Sequence, residues 1–199
     1  MLRLLLATTN KGKAAEYRDL LKGLDIETVT LDQAGISREA EENYTTFEEN
    51  ARAKAEFYAA LSGLLTLADD SGLEVDALGG EPGVRSSRYA GDNASDAERV
   101  SFLLNKLRDI PQDMRQARFK CVIAIAQPGK LTQTTEGTCE GCIALEPKGD
   151  NGFGYDPIFF LPEYNKTIAE LPPDVKNLIS HRGRAAGKAR LLLVNLNGC

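Results

Sequence analysis

Tryptophan is absent from this sequence, histidine occurs once and methionine occurs twice in 199 residues. Because His181 is the only imidazole, a Ser–His–Asp triad would depend entirely on that residue, and no such triad is apparent. Long apolar runs are also missing, since none approaches the roughly 18 residues of a membrane-spanning helix. The apolar run at residues 4–7 is too short for a signal-peptide core, which takes about 7–15 apolar residues. These absences predict a cytoplasmic protein without a membrane partner.

An excess of positive charge is lacking too. The chain carries 24 Lys and Arg against 29 Asp and Glu, with a net charge of −5 and a pI near 5.1. Proteins that bind nucleic acid usually need a basic face, so this balance argues against a nucleic-acid partner. A local group of Lys and Arg can still bind a small anion in a cleft. The length and the 42 % hydrophobic content predict one globular domain over residues 1–199.

Cysteine is scarce, with four in the chain. Cys139 and Cys142 form a single C-x-x-C pair, but there is no second pair and the only histidine is far along the chain. A zinc site takes about four ligands. The pair is therefore interpreted as two small residues in a strand, and a zinc-binding interaction module is the least favoured alternative.

Hydrophobic periodicity and turn residues predict a mixed α/β domain with a central sheet. Helices are expected at residues 11–24, 46–61, 95–107 and 181–196, the third opened by a capping box at Ser95. Strands are expected at residues 3–7, 26–31, 64–68, 73–78, 119–127 and 131–143, the last two forming a hairpin around Pro-Gly-Lys. Polar loops lie at strand ends, which are the usual ligand positions in α/β sheets.

The first polar loop joins a buried strand to a helix, as phosphate-binding loops do. It does not match the P-loop spacing, because no Gly stands at the first position and Ala14 replaces the Ser or Thr that would coordinate magnesium. Lys11, Lys13 and the free N–H groups of the helix start nevertheless suit a polyphosphate. The alternative is a helix cap with two surface lysines.

Adjacent carboxylates follow the third strand, at Asp69 and Asp70. Adjacent strand residues point to opposite faces, so at most one of them enters a given cleft. In isolation the pair is typical of a surface turn or cap. A second acidic cluster at residues 39–42 favours a functional role for the pair. One carboxylate from each cluster would suit Mg²⁺, which takes one or two carboxylates with water and substrate phosphates.

Two further segments suggest a nucleoside site. The glycine-rich loop around Phe153 offers a ring that could stack on a base, with Asp156 for directional hydrogen bonds. His181 and Arg182 open the last helix, where an imidazole can donate to a carbonyl and a guanidinium can bind phosphate. The alternatives are core packing for the ring and a structural role for the histidine.

Together these segments resemble the inosine triphosphate pyrophosphatase family. The matching motifs are LATTNKGK at residues 6–13, TTFEENA at 45–51, ADDSGLEVDALGGEPGVRSSRYAG at 68–91, RQARFKC at 115–121, GFGYDPIFF at 152–160 and KNLISHRG at 176–183. They follow the family's order and span nearly the whole chain. Two positions differ, because Thr9 and Tyr44 stand where the family commonly has glycine.

The resemblance implies an elongated mixed sheet flanked by helices, with two lobes, a central nucleotide cleft and a homodimer. It implies that Glu41 and Asp70 hold Mg²⁺ and that Asp70 is the catalytic proton acceptor. The substrate-binding residues that it implies are Thr8, Thr9, Asn10, Lys11, Gly12, Lys13, Ser71, Phe153, Gly154, Tyr155, Asp156, Lys176, His181 and Arg182.

The activity that the resemblance implies is Mg²⁺-dependent hydrolysis of deaminated purine nucleoside triphosphates. ITP, dITP and XTP would give the monophosphate and pyrophosphate, which keeps these bases out of DNA and RNA. Two alternatives stay open besides the zinc module. One is a Maf-like pyrophosphatase acting on modified pyrimidine nucleotides, and the other is a nucleotide-binding domain without turnover.

Overall fold

The computed structural model describes residues 2–197, which divide into two units with separate hydrophobic cores. Unit 1 contains residues 2–70, 121–137 and 181–197, and unit 2 contains residues 71–120 and 138–180. No helix among the described residues is both long and apolar enough to cross a membrane.

Residues 2–197 form a mixed seven-stranded sheet with five α-helices. The helices are α1 (Lys11–Leu20), α2 (Phe47–Ser62), α3 (Asp96–Lys106), α4 (Pro173–Ile179) and α5 (His181–Asn197). The strands are β1 (Leu2–Leu6), β2 (Ile26–Thr30), β3 (Leu65–Val75), β4 (Gln116–Ala126), β5 (Gln133–Ile143), β6 (Phe159–Leu161) and β7 (Lys166–Thr167). Their order in the sheet is β2-β1-β3-β4-β5-β6-β7. The predicted fold class, a mixed sheet flanked by helices, is confirmed.

The core of unit 1 lies on both faces of β1, which pairs in parallel with β2 and β3. Leu4 and Leu6 pack on one face with residues of α1 and α5, whereas Leu5 packs on the other face with residues of α2. Because successive side chains of a strand alternate, a continuous apolar run serves both layers. The small face predicted for α2 (Ala51, Ala55, Tyr58 and Ala59) is buried in this core.

β3 is one strand of 11 residues, so the expected break at residues 69–72 is wrong. Asp69 and Asp70 lie within the strand and are almost completely buried, at 1 % and 6 % exposure. Turn propensity describes a solvated chain, whereas here both carboxylates find cationic or amide partners in neighbouring elements. The strand therefore continues through a sequence that is typical of a turn.

The core of unit 2 is a separate cluster in which the rings of Phe119 and Phe159 lie 4.5 Å apart. Leu103 of α3 packs into this cluster. The capping box predicted at Ser95 is present, because its side chain accepts from Glu98 N while Glu98 accepts from Ser95 N. The short elements between residues 156 and 179, including β6, β7 and α4, were not predicted.

Gly137 of β5 lies directly against the start of α5. A Cβ atom there would stand 2.2 Å from the backbone oxygen of His181 and 2.5 Å from the backbone nitrogen of Ala185. We expect Gly137→Ala to lower the free energy of unfolding by about 1–3 kcal/mol, because the helix must move away from the strand. Urea denaturation followed by circular dichroism measures this change.

Gly187 provides the matched control, since it lies inside α5 with open space around its Cβ position. We expect Gly187→Ala to raise the free energy of unfolding by about 0.5–1 kcal/mol, because alanine restricts the unfolded chain more than glycine does. Equal effects of the two substitutions would contradict the close approach of α5 to β5.

Candidate active site

The loop before α1 is held by its own side chains. Thr8 Oγ1 accepts a hydrogen bond from Asn10 N at 3.2 Å, and Asn10 Oδ1 accepts one from Lys13 N at 3.0 Å. Asn10 is therefore the N-cap of α1, as its position at the helix start predicts. Among the described residues only Asn165 has a positive φ without being glycine, so neither Thr9 nor Tyr44 needs a glycine conformation. The loop therefore accepts Thr9 without backbone strain.

Asp69 of β3 contacts the start of α1 and the start of α5. Its Oδ2 lies 2.9 Å from Lys13 Nζ and 3.7 Å from Arg182 Nη2. Arg182 also pairs with Glu16 of α1 at 2.6 Å, and its guanidinium lies over the ring of Tyr17 at 5.9 Å. Two of the predicted substrate-binding cations are thus oriented by one buried carboxylate.

The electrostatic state of Asp69 follows from these contacts. Burial raises its pKa, but the charges of Lys13, Arg182 and Lys54 outweigh burial and hold the pKa well below its usual range. Asp69 therefore stays ionised at every physiological pH, and a permanently charged carboxylate is a poor proton acceptor.

Asp70 has a different hydrogen-bond partner from Asp69, as the alternation of strand side chains leads one to expect. Asn50 of α2 donates from Nδ2 to Asp70 Oδ2 at 2.9 Å. Burial raises the pKa of Asp70 to about 6, with a further increase from the nearby Glu42, against opposing effects of Lys13 and Lys54. The carboxyl group is ionised at neutral pH and can take up a proton without a large energetic penalty.

The acidic segment, which we define as residues 41–44, lies against α2. Glu42 accepts from the buried Lys54 at 2.5 Å, whereas Glu41 is exposed and accepts from Asn43 Nδ2 at 3.2 Å. The metal-binding role of Glu41 and Asp70 stays a prediction. Within residues 2–197, no group of three or more His, Cys, Asp or Glu side chains could hold a metal ion.

Asn50 and Lys54 were not among the predicted site residues. They lie four residues apart on the buried face of α2, next to alanines. A polar amide and an ammonium group on an otherwise small apolar helix face are the signal that could have identified them, because such groups are buried only when they have partners. Both contribute to the electrostatic surroundings of Asp70.

Unit 2 holds the predicted base-binding loop as a closed cluster. Lys176 Nζ lies 2.6 Å from Asp156 Oδ2 and 4.8 Å from the centroid of the Phe153 ring. The same carboxylate oxygen accepts from Phe153 N at 2.9 Å. Since Lys176 and Asp156 are both buried, their ion pair fixes the half-buried ring of Phe153.

Glycines allow this cluster to close. Gly152 has φ +82°, and a Cβ there would lie 2.1 Å from Asp156 Oδ2. Gly154 N donates to Asp96 Oδ2 at 2.6 Å, and the buried Tyr155 donates its hydroxyl to Ser86 O at 3.0 Å. Tyr155 thus anchors the loop instead of presenting its hydroxyl to a ligand.

The other predicted residues fall into the two units as follows. Thr8, Lys11, Gly12 and His181 belong to unit 1, where Lys11 is exposed and His181, the first residue of α5, is buried. Ser71 belongs to unit 2 and is half-buried in β3. Cys139 and Cys142 lie in β5, which confirms their interpretation as strand residues.

The sequence matches a model of the Ham1 family over residues 4–191. A dITP/XTP pyrophosphatase of Desulforamulus reducens is 51 % identical over 195 residues, covering 98 % of this chain and 97 % of that protein. A dITP/XTP pyrophosphatase of Exiguobacterium sibiricum is 47 % identical over 197 residues, covering 99 % of this chain and all of that protein.

The fold is similar to that of a solved Ham1 protein from Coxiella burnetii. The TM-score is 0.89 at 45 % sequence identity, and the match covers 98 % of this chain and 100 % of that one. Sequence and fold therefore match the same family over almost the whole chain.

Proposed function

The chain belongs to the Ham1 family, and on that premise we propose that it hydrolyses the deaminated purine nucleoside triphosphates dITP, XTP and ITP to the monophosphate and pyrophosphate. The observation that carries this proposal is that two neighbouring carboxylates of β3 have different electrostatic surroundings. Asp69 is neutralised by Lys13 and Arg182, while Asp70 has a pKa raised to about 6. Asp69 thus orients two cations that can bind phosphate, whereas Asp70 can serve as the base for hydrolysis.

In the proposed reaction Asp70 accepts the proton of a water molecule that attacks the α-phosphorus. The bond from the α-phosphorus to the bridging oxygen breaks, and pyrophosphate leaves with that oxygen. Lys13 binds the leaving phosphates, and its ion pair with Asp69 at 2.9 Å restricts the ammonium group to one region. Phosphoryl transfer depends mainly on such positioning and charge neutralisation.

The residues around Asp70 fit a divalent cation. Burial raises the pKa of Asp70 to about 6, and a cation bound to its oxygens would offset this cost of keeping the buried carboxylate ionised. Glu41 and Asp70 would hold Mg²⁺, with the remaining positions filled by water and phosphate oxygens. When bound, Mg²⁺ supplies charge neutralisation of the triphosphate.

For the base we propose the Phe153 cluster of unit 2. The ring of Phe153 is fixed by Lys176 and Asp156, so it offers a preorganised stacking surface. The 6-oxo group of hypoxanthine or xanthine accepts hydrogen bonds, so a site for it presents donors. Adenine carries a 6-amino group at this position, and its N–H donors would face the donors of the site. Such a mismatch of buried polar groups discriminates strongly.

We expect Phe153→Ala to raise KM for dITP by about 5- to 150-fold, because stacking a base on an aromatic ring contributes about 1–3 kcal/mol. The value of kcat should change less, since the ring does not touch the reacting phosphorus. Steady-state kinetics with dITP at saturating Mg²⁺ measures both parameters.

Phe102 is a suitable control, because it is an aromatic residue of unit 2 with a lysine over its ring, at 5.6 Å, and is 39 % exposed. Phe102→Ala should leave KM close to that of the parent protein. A KM for Phe153→Ala that does not differ from that of Phe102→Ala would contradict the stacking role.

The cleavage site is tested by running the reaction in H₂¹⁸O with separate assays for pyrophosphate and orthophosphate. Attack at the α-phosphorus places ¹⁸O in the monophosphate and releases unlabelled pyrophosphate. Orthophosphate as the first product, or ¹⁸O in pyrophosphate, would contradict the proposed reaction.

Three further features belong to the proposal. The protein acts as one domain over residues 1–199, works in the cytoplasm on the free nucleotide pool, and forms a homodimer. Multi-angle light scattering tests the last feature, and a mass of twice the 21.6 kDa chain is the expected result. A mass equal to one chain would contradict it.

A further inference from the structure

The side-chain amide of Asn50 joins two acidic parts of unit 1. Its Nδ2 donates to Asp70 Oδ2 at 2.9 Å. The same amide exchanges hydrogen bonds with the backbone of Tyr44, with Oδ1 accepting from N at 3.1 Å and Nδ2 donating to O at 3.4 Å. Asn50 is only 1 % exposed, so these bonds are shielded from water. One amide therefore holds the acidic segment and β3 together.

Both N–H donors and the oxygen acceptor of the Asn50 amide have hydrogen-bond partners. A carboxamide carries two N–H donors and one oxygen acceptor. One donor goes to Asp70, and the other donor and the oxygen go to Tyr44. Leucine has nearly the same shape but makes none of these bonds. The packing alone therefore does not require asparagine, whereas the hydrogen bonds do.

The backbone of Asn50 is anchored independently of its side chain. Thr46 is the N-cap of α2, where its Oγ1 accepts from Glu49 N at 3.2 Å and its carbonyl oxygen accepts from Asn50 N at 3.2 Å. The start of the helix can thus be weakened at Thr46 without removing the amide. This separation distinguishes a structural role of Asn50 from a positioning role.

Lys54 lies one helical turn after Asn50 in α2 and also contacts the acidic segment, through an ion pair with Glu42 at 2.5 Å. The acidic segment is therefore held at two points, and the Asn50 side chain that holds one of them also donates a hydrogen bond to Asp70. Asn50 therefore links the segment directly to Asp70.

We propose that Asn50 is a positioning residue for the divalent cation, because its amide sets where the acidic segment lies relative to Asp70. The inference rests on the proposed function, which assigns Glu41 and Asp70 to the metal. It goes beyond that function by placing the control of metal affinity in a residue that does not touch the metal.

The test compares the parent protein with Asn50→Leu, which keeps the packing and removes the three hydrogen bonds. Mn²⁺ binding is measured by electron paramagnetic resonance in the presence of a non-hydrolysable dITP analogue. We expect the Kd for Mn²⁺ to rise by about 10- to 100-fold, as for other groups that orient metal ligands. The Mg²⁺ concentration for half-maximal activity should rise by the same factor, while kcat at saturating Mg²⁺ falls much less.

Asn50→Ala serves as the second variant in case leucine disturbs folding, and circular dichroism verifies the fold of each. Thr46→Ala is the matched control, since it removes the cap of α2 but leaves the amide in place. It should lower the melting temperature and leave the Kd for Mn²⁺ within about twofold, because a cap acts on the helix end.

Three results would overturn the inference. They are parent-like Mn²⁺ affinity in folded Asn50→Leu or Asn50→Ala, an equal loss of affinity in Thr46→Ala, and no Mn²⁺ binding by the parent protein. None of these measurements needs turnover. Failure of the parent protein to release pyrophosphate from dITP would instead contradict the proposed function.

Discussion

Replacing Asp70 by asparagine is expected to lower kcat for pyrophosphate release by about 10³-fold or more, because a general base contributes about 10²–10⁴-fold and a metal ligand is lost with it. Nucleotide binding should remain measurable, since Lys13 and Arg182 keep their ion pairs with Asp69. Single-turnover kinetics with dITP and binding of a non-hydrolysable analogue separate the two effects.

The same substitution should make the metal-free protein more stable. Folding raises the pKa of Asp70 to about 6, so the folded state binds its proton more tightly than the unfolded state does. The ionised carboxylate therefore destabilises the fold by about 2–3 kcal/mol above pH 6, and this cost disappears as the pH falls towards 4. Urea denaturation in EDTA at pH 7.5 should show Asp70→Asn to be more stable than the parent protein by that amount.

Asp76→Asn is the control for Asp70→Asn, because it makes the same chemical change at an exposed position of unit 2. Asp76 pairs with Arg118 at the surface, at 2.8 Å, where an ion pair contributes about 0–1 kcal/mol. The kcat of the Asp76→Asn variant should equal that of the parent protein. Full activity of Asp70→Asn would show that another group is the base.

Asp69→Asn should have the opposite effect on stability. Its carboxylate compensates Lys13 and Arg182 in a site where Asp69 is 1 % exposed. Removing one partner of a buried ion pair leaves the other uncompensated, so we expect the free energy of unfolding to fall by about 3–5 kcal/mol. Urea denaturation at pH 7.5 measures this loss.

The pH dependence provides a second test for Asp69. Folding lowers its pKa well below the usual range, so its stabilising contribution is complete above the unfolded pKa near 4. That contribution is lost only as the pH falls through the much lower folded pKa. The difference in stability between the parent protein and Asp69→Asn should therefore be constant from pH 5 to 8. A difference that shrinks between pH 8 and 6 would contradict a permanently ionised Asp69.

The helices with strong periodicity could be predicted from the sequence to within about one residue. α2 begins one residue after the predicted start at Thr46, and α5 begins at His181 as predicted. α1 is shorter than expected, because the chain turns before Gly23, which has φ +83°. Local signals are sufficient where the helix face and its cap agree.

β3 could not be predicted correctly, because its polar centre depends on partners distant in sequence. Asp69 contacts Lys13 and Arg182, which lie in the first helix and the last helix. No local pattern indicates that both cations lie on the same side of the strand. The motif was recognised, but its place within a continuous buried strand was not.

The supporting residues of the candidate site were missed for a related reason. Asn50 and Lys54 matter because α2 packs against β3 near its centre, where Asp70 lies, and only the assembled unit shows this contact. The residues resembling the family motifs were identified directly. The groups that position them depend on packing.

Substrate selectivity is the most direct test of the central claim, that this chain removes deaminated purine nucleotides. The measurement is kcat/KM for pyrophosphate release from dITP, XTP, dATP and dGTP under one set of Mg²⁺ conditions. We predict that dITP and XTP exceed dATP by about 10²-fold or more, since donors that face the 6-oxo group reject a 6-amino group at this level. Equal kcat/KM values for dITP and dATP would contradict the claim.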